Sequence, residues 1–177
     1  FGGFKHPNAL RYECAAMVAY GSKCSVGDQL HPNGKLDRST YALIGAAYAE
    51  VEKKEPWCAN VAPVAEIGLL SAESLRTGPA SHHNAKPGDT GATRILLEGH
   101  FLFDVLDGQM DFSPYKLLVL PDDILVDAAL QAKLEKYLAG GGKLLLSGES
   151  ELKSDRSGFA LDIGAKWEGV SPFRPDY

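Results

Sequence analysis

Residues Tyr115 to Ser150 constrain this chain more than any other stretch, because they read as strand, helix, strand with one periodicity each. Tyr115-Lys116-Leu117-Leu118-Val119-Leu120 is a continuous apolar run halted by Pro121-Asp122-Asp123. A helical repeat follows, with Leu130, Leu134, Tyr137 and Leu138 on one face. Asp127 stands where an N-cap or first-turn carboxylate belongs, and Gly140-Gly141-Gly142 supplies the left-handed residue that ends a helix. Lys143-Leu144-Leu145-Leu146-Ser147 is a second apolar strand. Two strands apolar on both faces and joined through a helix imply a parallel sheet covered on both sides. Such a sheet binds ligands at the carboxyl ends of its strands, so that edge is where chemistry has to be sought.

Amino-terminal to this unit the rhythm changes. Phe1 to Lys5 reads as a short strand, and His6-Pro7-Asn8 starts a helix with Leu10, Cys14 and Met17/Val18 inward, ended by Gly21. Cys24-Ser25-Val26 reads as a brief strand running into Gly27-Asp28-Gln29-Leu30-His31-Pro32-Asn33-Gly34. Asp37 caps a second helix with an inner stripe of Tyr41, Ile44, Tyr48 and Val51, closing in the charged run to Glu55 and stopped by Pro56. This β-α-β-α order suits a doubly wound sheet or the end of a (β/α)8 barrel. Trp57 to Pro63 is a linker. Beyond it, Val64 to Ala72 reads as the first strand of a new parallel sheet, and Glu73 to Asp89 as a long polar loop. A helix capped at Asp89 or Thr90 is expected to carry Ile95, Gly99, Leu102/Phe103 and Leu106 on one side. Met110 to Phe112 is expected as an edge strand, and Ala165 to Glu168 as a strand in the tail.

Composition narrows the function classes. With 177 residues, 45% of them apolar, and a net charge of −5, the chain is globular rather than disordered. Both charge signs are interleaved with no basic stripe, which argues against a nucleic-acid partner. No apolar run approaches the roughly 20 residues of a membrane-spanning helix, so no membrane partner is expected. The opening Phe1-Gly2-Gly3, without Met or a signal core, suggests a terminus internal to a longer protein. Cys14, Cys24 and Cys58 are odd in number and irregular in spacing, which fits neither a disulfide framework nor a zinc site. Cys14 is expected as a buried thiol, and the cellular compartment stays open.

Candidate site residues are few. Asp28, Gln29 and His31 follow a strand and precede a helix, which places them at a carboxyl edge. Asp and Gln hold hydroxyl groups, and His exchanges a proton near neutral pH. The plainer alternative is a long turn in which Asp28 and Asn33 satisfy backbone groups. His82-His83 with Asp89 lacks a third ligand at metal spacing, so no metal is expected. Gly88-Asp89-Thr90-Gly91 has no Lys-Ser/Thr of a phosphate loop and reads as a helix cap. Gly99 between Glu98 and His100 costs about 1 kcal/mol in a helix, so a close neighbour is expected there. Ser147-Gly148 at a strand end lacks the histidine a nucleophile needs, since none follows His100.

These residues carry a family likeness. Val64–Ser150, through Tyr115-Lys116-Leu117-Leu118-Val119-Leu120-Pro121 and Leu134-x-x-Tyr137-Leu138-Ala139-Gly140-Gly141-Gly142-Lys143-Leu144-Leu145, resembles the β-galactosidase trimerisation domain, a flavodoxin-like, class I glutamine amidotransferase-like module. The amidotransferase cysteine has no counterpart in Leu146-Ser147-Gly148-Glu149, so glutaminase activity does not carry over. Gly27-Asp28-Gln29-x-His31-Pro32-x-Gly34 and Ser171-Pro172-Phe173-Arg174-Pro175-Asp176-Tyr177 are similar to glycosyl hydrolases related to α-L-fucosidases and β-galactosidases. The resemblance implies an α/β fold: residues 1–57 as the last two β/α units of a TIM barrel, and 64–177 as a flavodoxin-like sheet of strand order 2-1-3-4. It implies the carboxy-terminal fragment of a glycosidase, with a carbohydrate substrate in the full-length protein, homo-oligomeric assembly and no cofactor. Asp28, Gln29 and His31 would line the sugar pocket, and the catalytic carboxylates would lie upstream. The competing expectation is a stand-alone flavodoxin-like module holding a small anionic ligand near Asp89.

Overall fold

A computed structural model describes residues 3–75 and 87–173. The chain divides into two compact units, Phe1–Pro63 and Val64–Tyr177.

The first unit is built on two helices. In α1, Pro7–Ala19, the His6 ring accepts the Asn8 N–H and Pro7 occupies the first turn, where its missing N–H costs nothing. Gly21, at φ +77°, takes the chain out of α1. Asp37 caps α2, Arg38–Cys58, by accepting the Ser39 N–H at 2.8 Å. The helix does not stop before Pro56: it passes through the proline and absorbs Trp57 and Cys58. A proline this near a C-terminus removes only its own bond, to the Glu52 carbonyl, and leaves the rest of the last turn available. Leu10, Cys14 and Ala47 form the core, with Ile44, Val51, Cys24 and Val26 packed around them. Tyr41 and Tyr48, expected inward, are exposed; the buried member of α2 is Ala47. Neither expected strand forms: residues 22–31 run without a ladder, and so do 3–6 among the described part of the first segment. A strand is stabilised by a hydrogen-bonded neighbour, and neither segment forms a ladder with another among the described residues.

The second unit is the expected α/β sandwich. Strands β1 (Ile67–Leu70), β2 (Phe103–Leu106), β3 (Leu117–Leu120) and β4 (Lys143–Leu146) form one all-parallel sheet in the order β2-β1-β3-β4. That is the flavodoxin-like order the resemblance implied. Successive residues alternate between faces. Leu70, Leu106, Leu118 and Leu120 pack against Leu130, Leu134 and Tyr137 of α4 (Ala128–Ala139). Leu69 and Val119 pack on the other face against Leu96 of α3 (Pro87–Glu98). Gly68 leaves room for its neighbours: a Cβ there would lie 2.5 Å from a Leu106 methyl and 2.8 Å from a Leu118 methyl, both of which would have to shift. The ends of α4 match expectation: Asp127 accepts the Leu130 N–H at 2.8 Å, and Gly141 is left-handed at φ +91°. The Tyr137 hydroxyl bonds the Tyr115 carbonyl and the Lys143 backbone, which ties α4 to the starts of β3 and β4.

Several elements differ from the sequence reading: α3 starts at Pro87, with Asp89 inside its first turn rather than at its cap. Helix α3 ends at Glu98 rather than running to Leu106, and residues 103–106 are β2. Gly99 and left-handed His100 turn the chain, with the Phe101 N–H bonding back to the Leu96 carbonyl at 3.0 Å. Within the chain, the close neighbour of Gly99 is the Phe101 ring rather than a strand. Residues 110–112 form no edge strand: Asp107 accepts the Gln109 and Met110 N–H groups in a turn, and Phe112 drops into the core. The tail forms no strand at 165–168 either. It is held instead by Phe159 edge-on to Trp167 and by bridges pairing Val126 with Lys153 and Leu152 with Phe159.

Glu151 anchors that tail from inside. It is 0% exposed and left-handed at φ +74°. One carboxyl oxygen accepts the Leu161 N–H at 2.5 Å, and the other has no partner among the described residues. Burial pushes this carboxyl above the ordinary glutamate value, against the pull of the Leu161 and Ala160 N–H groups. The folded state therefore holds its proton longer than the unfolded state. The stability from this group is full below the unfolded value near 4.5 and is lost as pH rises through the folded value. Glu151→Gln, neutral throughout, is expected to gain on the parent in denaturant midpoint as pH rises above about 4.5. An unchanged difference between the two across that range refutes the assignment.

Candidate functional site

The segment joining α1 to α2 carries the sequence-predicted residues. Its turn is self-closing: the Gly34 N–H donates to the His31 carbonyl at 2.8 Å, and Asn33 accepts the Lys35 N–H at 2.9 Å. The Asn33 N–H points at Nδ1 of His31 at 3.4 Å, which leaves the neutral ring's proton on Nε2. Asp28, Gln29 and His31 line one hollow of about 610 Å³, together with Lys5, Glu13 and Asp37. All three are exposed. The structure brings them together, with the Asp28 carboxylate unpartnered among the described residues.

Hydrolysis of a glycosidic bond needs two carboxyl groups available as acid and base or nucleophile. The other carboxylates of this hollow are committed elsewhere. Glu13 is paired with Lys5 at 2.5 Å. Asp37 accepts both the hydroxyl and the N–H of Ser39, and these bonds hold its carboxyl below the ordinary aspartate value. The hollow can therefore bind hydroxyl groups, and it presents no second uncommitted carboxylate to Asp28. Sequence reasoning identified Asp37 as a cap and missed it as a wall of the hollow. That placement depends on how α2 packs on α1, which local patterning does not encode.

The carboxyl edge of the sheet in the second unit is closed by its own groups. Asp89 accepts the Ser71 hydroxyl at 2.7 Å and the Ala72 and Glu73 N–H groups at 2.8 and 3.1 Å. The place expected for an anion at the start of α3 is thus filled by a carboxylate of the chain itself. The Ser147 hydroxyl donates to Asp122 at 2.7 Å, and Gly148 packs on the Asp122 backbone. Ser147 thus has a carboxylate partner and no histidine partner among the described residues. His82 and His83 lie outside the described residues; among those described, no cluster of three or more metal-ligating side chains occurs.

A further hollow of about 770 Å³, at the amino edge of β3 and β4, includes Lys116, Lys133, Lys136 and Lys143. Lys116 is paired with Glu66. Lys133 bonds the Gly108 and Met110 carbonyls and sits 4.1 Å over the Phe112 ring. Lys136 lies in the last turn of α4, where a cation complements the helix dipole. No helix among the described residues is long and apolar enough to cross a membrane.

The chain thus combines a parallel four-stranded α/β unit with a preceding helical unit that carries a polar hollow. It is similar to a segment of a glycoside hydrolase, and it spans about a quarter of the length of the solved enzymes it matches. Over 100% of its length it is similar to α-L-fucosidase isoenzyme 2 from Paenibacillus thiaminolyticus, at 49% identity and a TM-score of 0.87, and it covers 27% of that chain. Gan42B, a GH42 β-galactosidase from G. stearothermophilus solved as a catalytic mutant, matches 80% of this chain at 24% identity and TM-score 0.57, over 24% of its own length. The β-galactosidase from Marinomonas ef1 matches 85% at 14% identity and TM-score 0.54, over 26% of its length. These last two likenesses are of fold alone. No protein-family model and no curated protein matches the sequence.

Asp89→Ala is expected to destabilise the second unit by about 2 kcal/mol, the scale of losing hydrogen bonds to a charged group. It should create no affinity for inorganic phosphate. Denaturant titration with and without phosphate checks both, and phosphate-dependent stabilisation of the unsubstituted chain would restore the ligand-module reading.

Proposed function

We propose that this chain is the carboxy-terminal part of a glycoside hydrolase acting on an O-glycosidic bond, with an α-L-fucoside as the favoured substrate class. The observation that carries the reading is the 49% identity maintained over the whole chain with a bacterial α-L-fucosidase. In this reading residues 1–57 are the last two β/α units of a (β/α)8 barrel. The segments 3–6 and 22–31 would gain their ladders from neighbouring barrel strands. Residues 64–177 form a non-catalytic domain that assembles subunits and covers the barrel mouth. The self-satisfied edge at Asp89, Asp122 and Ser147 supports that non-catalytic role.

Asp28, Gln29 and His31 are assigned to the sugar pocket as hydrogen-bonding residues. Asp28 and Gln29 would accept from sugar hydroxyls, and His31 would donate through Nε2. The catalytic acid and base come from elsewhere in the full polypeptide, so the 177-residue chain alone is expected to show no turnover of an aryl α-L-fucoside. Within the longer enzyme, Asp28→Ala and His31→Ala should each lower kcat/KM by about 10- to 100-fold, the effect of losing a hydrogen bond worth about 1.5–3 kcal/mol. Their exposure means the thermal midpoint should stay where it was. Steady-state kinetics on the aryl glycoside test this, and an unchanged kcat/KM in both variants removes them from the pocket.

A further inference from the structure

Two of the three cysteines meet in the first unit. Cys14 is buried on the inner face of α1 at 1% exposure, while Cys24 is half-buried in the segment that leads to Gly27. They belong to one apolar cluster. The Cys24 thiol donates to the Cys14 carbonyl at 3.3 Å across ten positions of sequence. The reversal that permits this is built at the end of α1: Gly21 is left-handed, and the Ser22 N–H bonds back to the Met17 carbonyl at 2.9 Å. From the other side the Tyr48 hydroxyl holds the Cys24 carbonyl at 3.1 Å. Cys24 also opens onto a hollow of about 710 Å³ shared with Lys23, Glu52, Glu55 and Cys58. Reagents thus reach Cys24 directly and Cys14 only through it.

We propose that Cys14 and Cys24 are a redox modification site, which a low-molecular-weight disulfide such as oxidised glutathione converts into an intrachain disulfide. Cys24 loses its proton to solvent, and its thiolate attacks one sulfur of the reagent. The reagent's S–S bond breaks, and the departing thiolate takes up a proton. Cys14, deprotonated in turn, attacks the Cys24 sulfur of the mixed disulfide and expels the second thiol. Two protein thiols are oxidised and one small disulfide is reduced to two thiols, so electrons and protons balance. Burial, reinforced by the adjacent Cys24 thiol, pushes the Cys14 thiol above its ordinary value. Because the thiolate is the nucleophile, the second step is the slow one. The bridge would tether the start of the Asp28–His31 segment to α1, and it does not depend on what that segment binds.

The test incubates the folded 177-residue chain with oxidised glutathione, alkylates it and maps its peptides under non-reducing conditions. The expected result is a Cys14–Cys24 cross-link with Cys58 alkylated, the same link in Cys58→Ser, and a glutathione adduct held on Cys24 in Cys14→Ser. The bridged form should melt higher, and dithiothreitol should return the midpoint to its starting value. A Cys24–Cys58 link, a link between two chains, or full alkylation of Cys14 and Cys24 in the folded protein overturns the proposal. If Cys14→Ser does not fold, the unsubstituted chain and Cys58→Ser decide it.

Discussion

Burial of β3 on both faces is the constraint on which the second unit depends. Leu118 and Leu120 are fully buried toward α4, and Val119 is buried toward α3. A strand in that position has no solvent-facing side, so both helices are needed to remove its apolar surface from water. At about 25 cal/mol per Å² the burial of such side chains dominates the favourable terms. The rest follows geometrically. Gly68 leaves room for Leu106 and Leu118 to close over it, and Tyr137 must bridge α4 to the strand starts so that the helix cannot slide along the sheet.

The parts of the fold legible in sequence are those where one residue pattern permits one structure. Leu130, Leu134 and Tyr137 repeat at helical spacing between an Asp cap and a glycine stop, and α4 forms there. The strand order β2-β1-β3-β4 is the one the flavodoxin-like resemblance implied, and short un-knotted connections between parallel strands are compatible with it. Phe103 to Leu106 was misassigned because Leu102, Phe103 and Leu106 also satisfy helical spacing. What decides is Gly99 and the left-handed His100, which end α3 before the spacing can continue. Phe112 misled in the opposite sense: an apolar residue near a turn looked like an edge strand, whereas its side chain fills the space under α4. Segment 22–31 shows a different limit, since a strand needs a partner that the local sequence does not name.

The hollow in the first unit was legible as residues and not as a volume. Asp28, Gln29 and His31 stand within four positions, so any compact turn groups them. Lys5, Glu13 and Asp37 come from three other places and are brought in by packing Leu10 and Cys14 against Ala47. Their entry changes the chemistry, because it shows which carboxylates are occupied. A carboxylate held by a cation or by two donors is a poor proton carrier at the moment of reaction, since those bonds must be broken or reweighted first.

The same logic explains why a fold known for binding ligands at one edge binds none there in this reading. A strand end and a helix start attract anions when their N–H groups lack partners. Here Asp89 takes the N–H groups of Ala72 and Glu73 and the hydroxyl of Ser71, while Asp122 and Ser147 satisfy each other. Any ligand would have to displace these internal bonds and would meet a fixed carboxylate charge where its own would go. Gly148 draws the backbone closer still around Asp122, where a side chain would collide with the Asp122 backbone, and Gly88 packs tightly on the Asp122 side chain. The edge that would serve recognition in a binding module is spent on holding three loops together. In the proposed reading, a domain of that kind would contribute shape and surface to a larger enzyme.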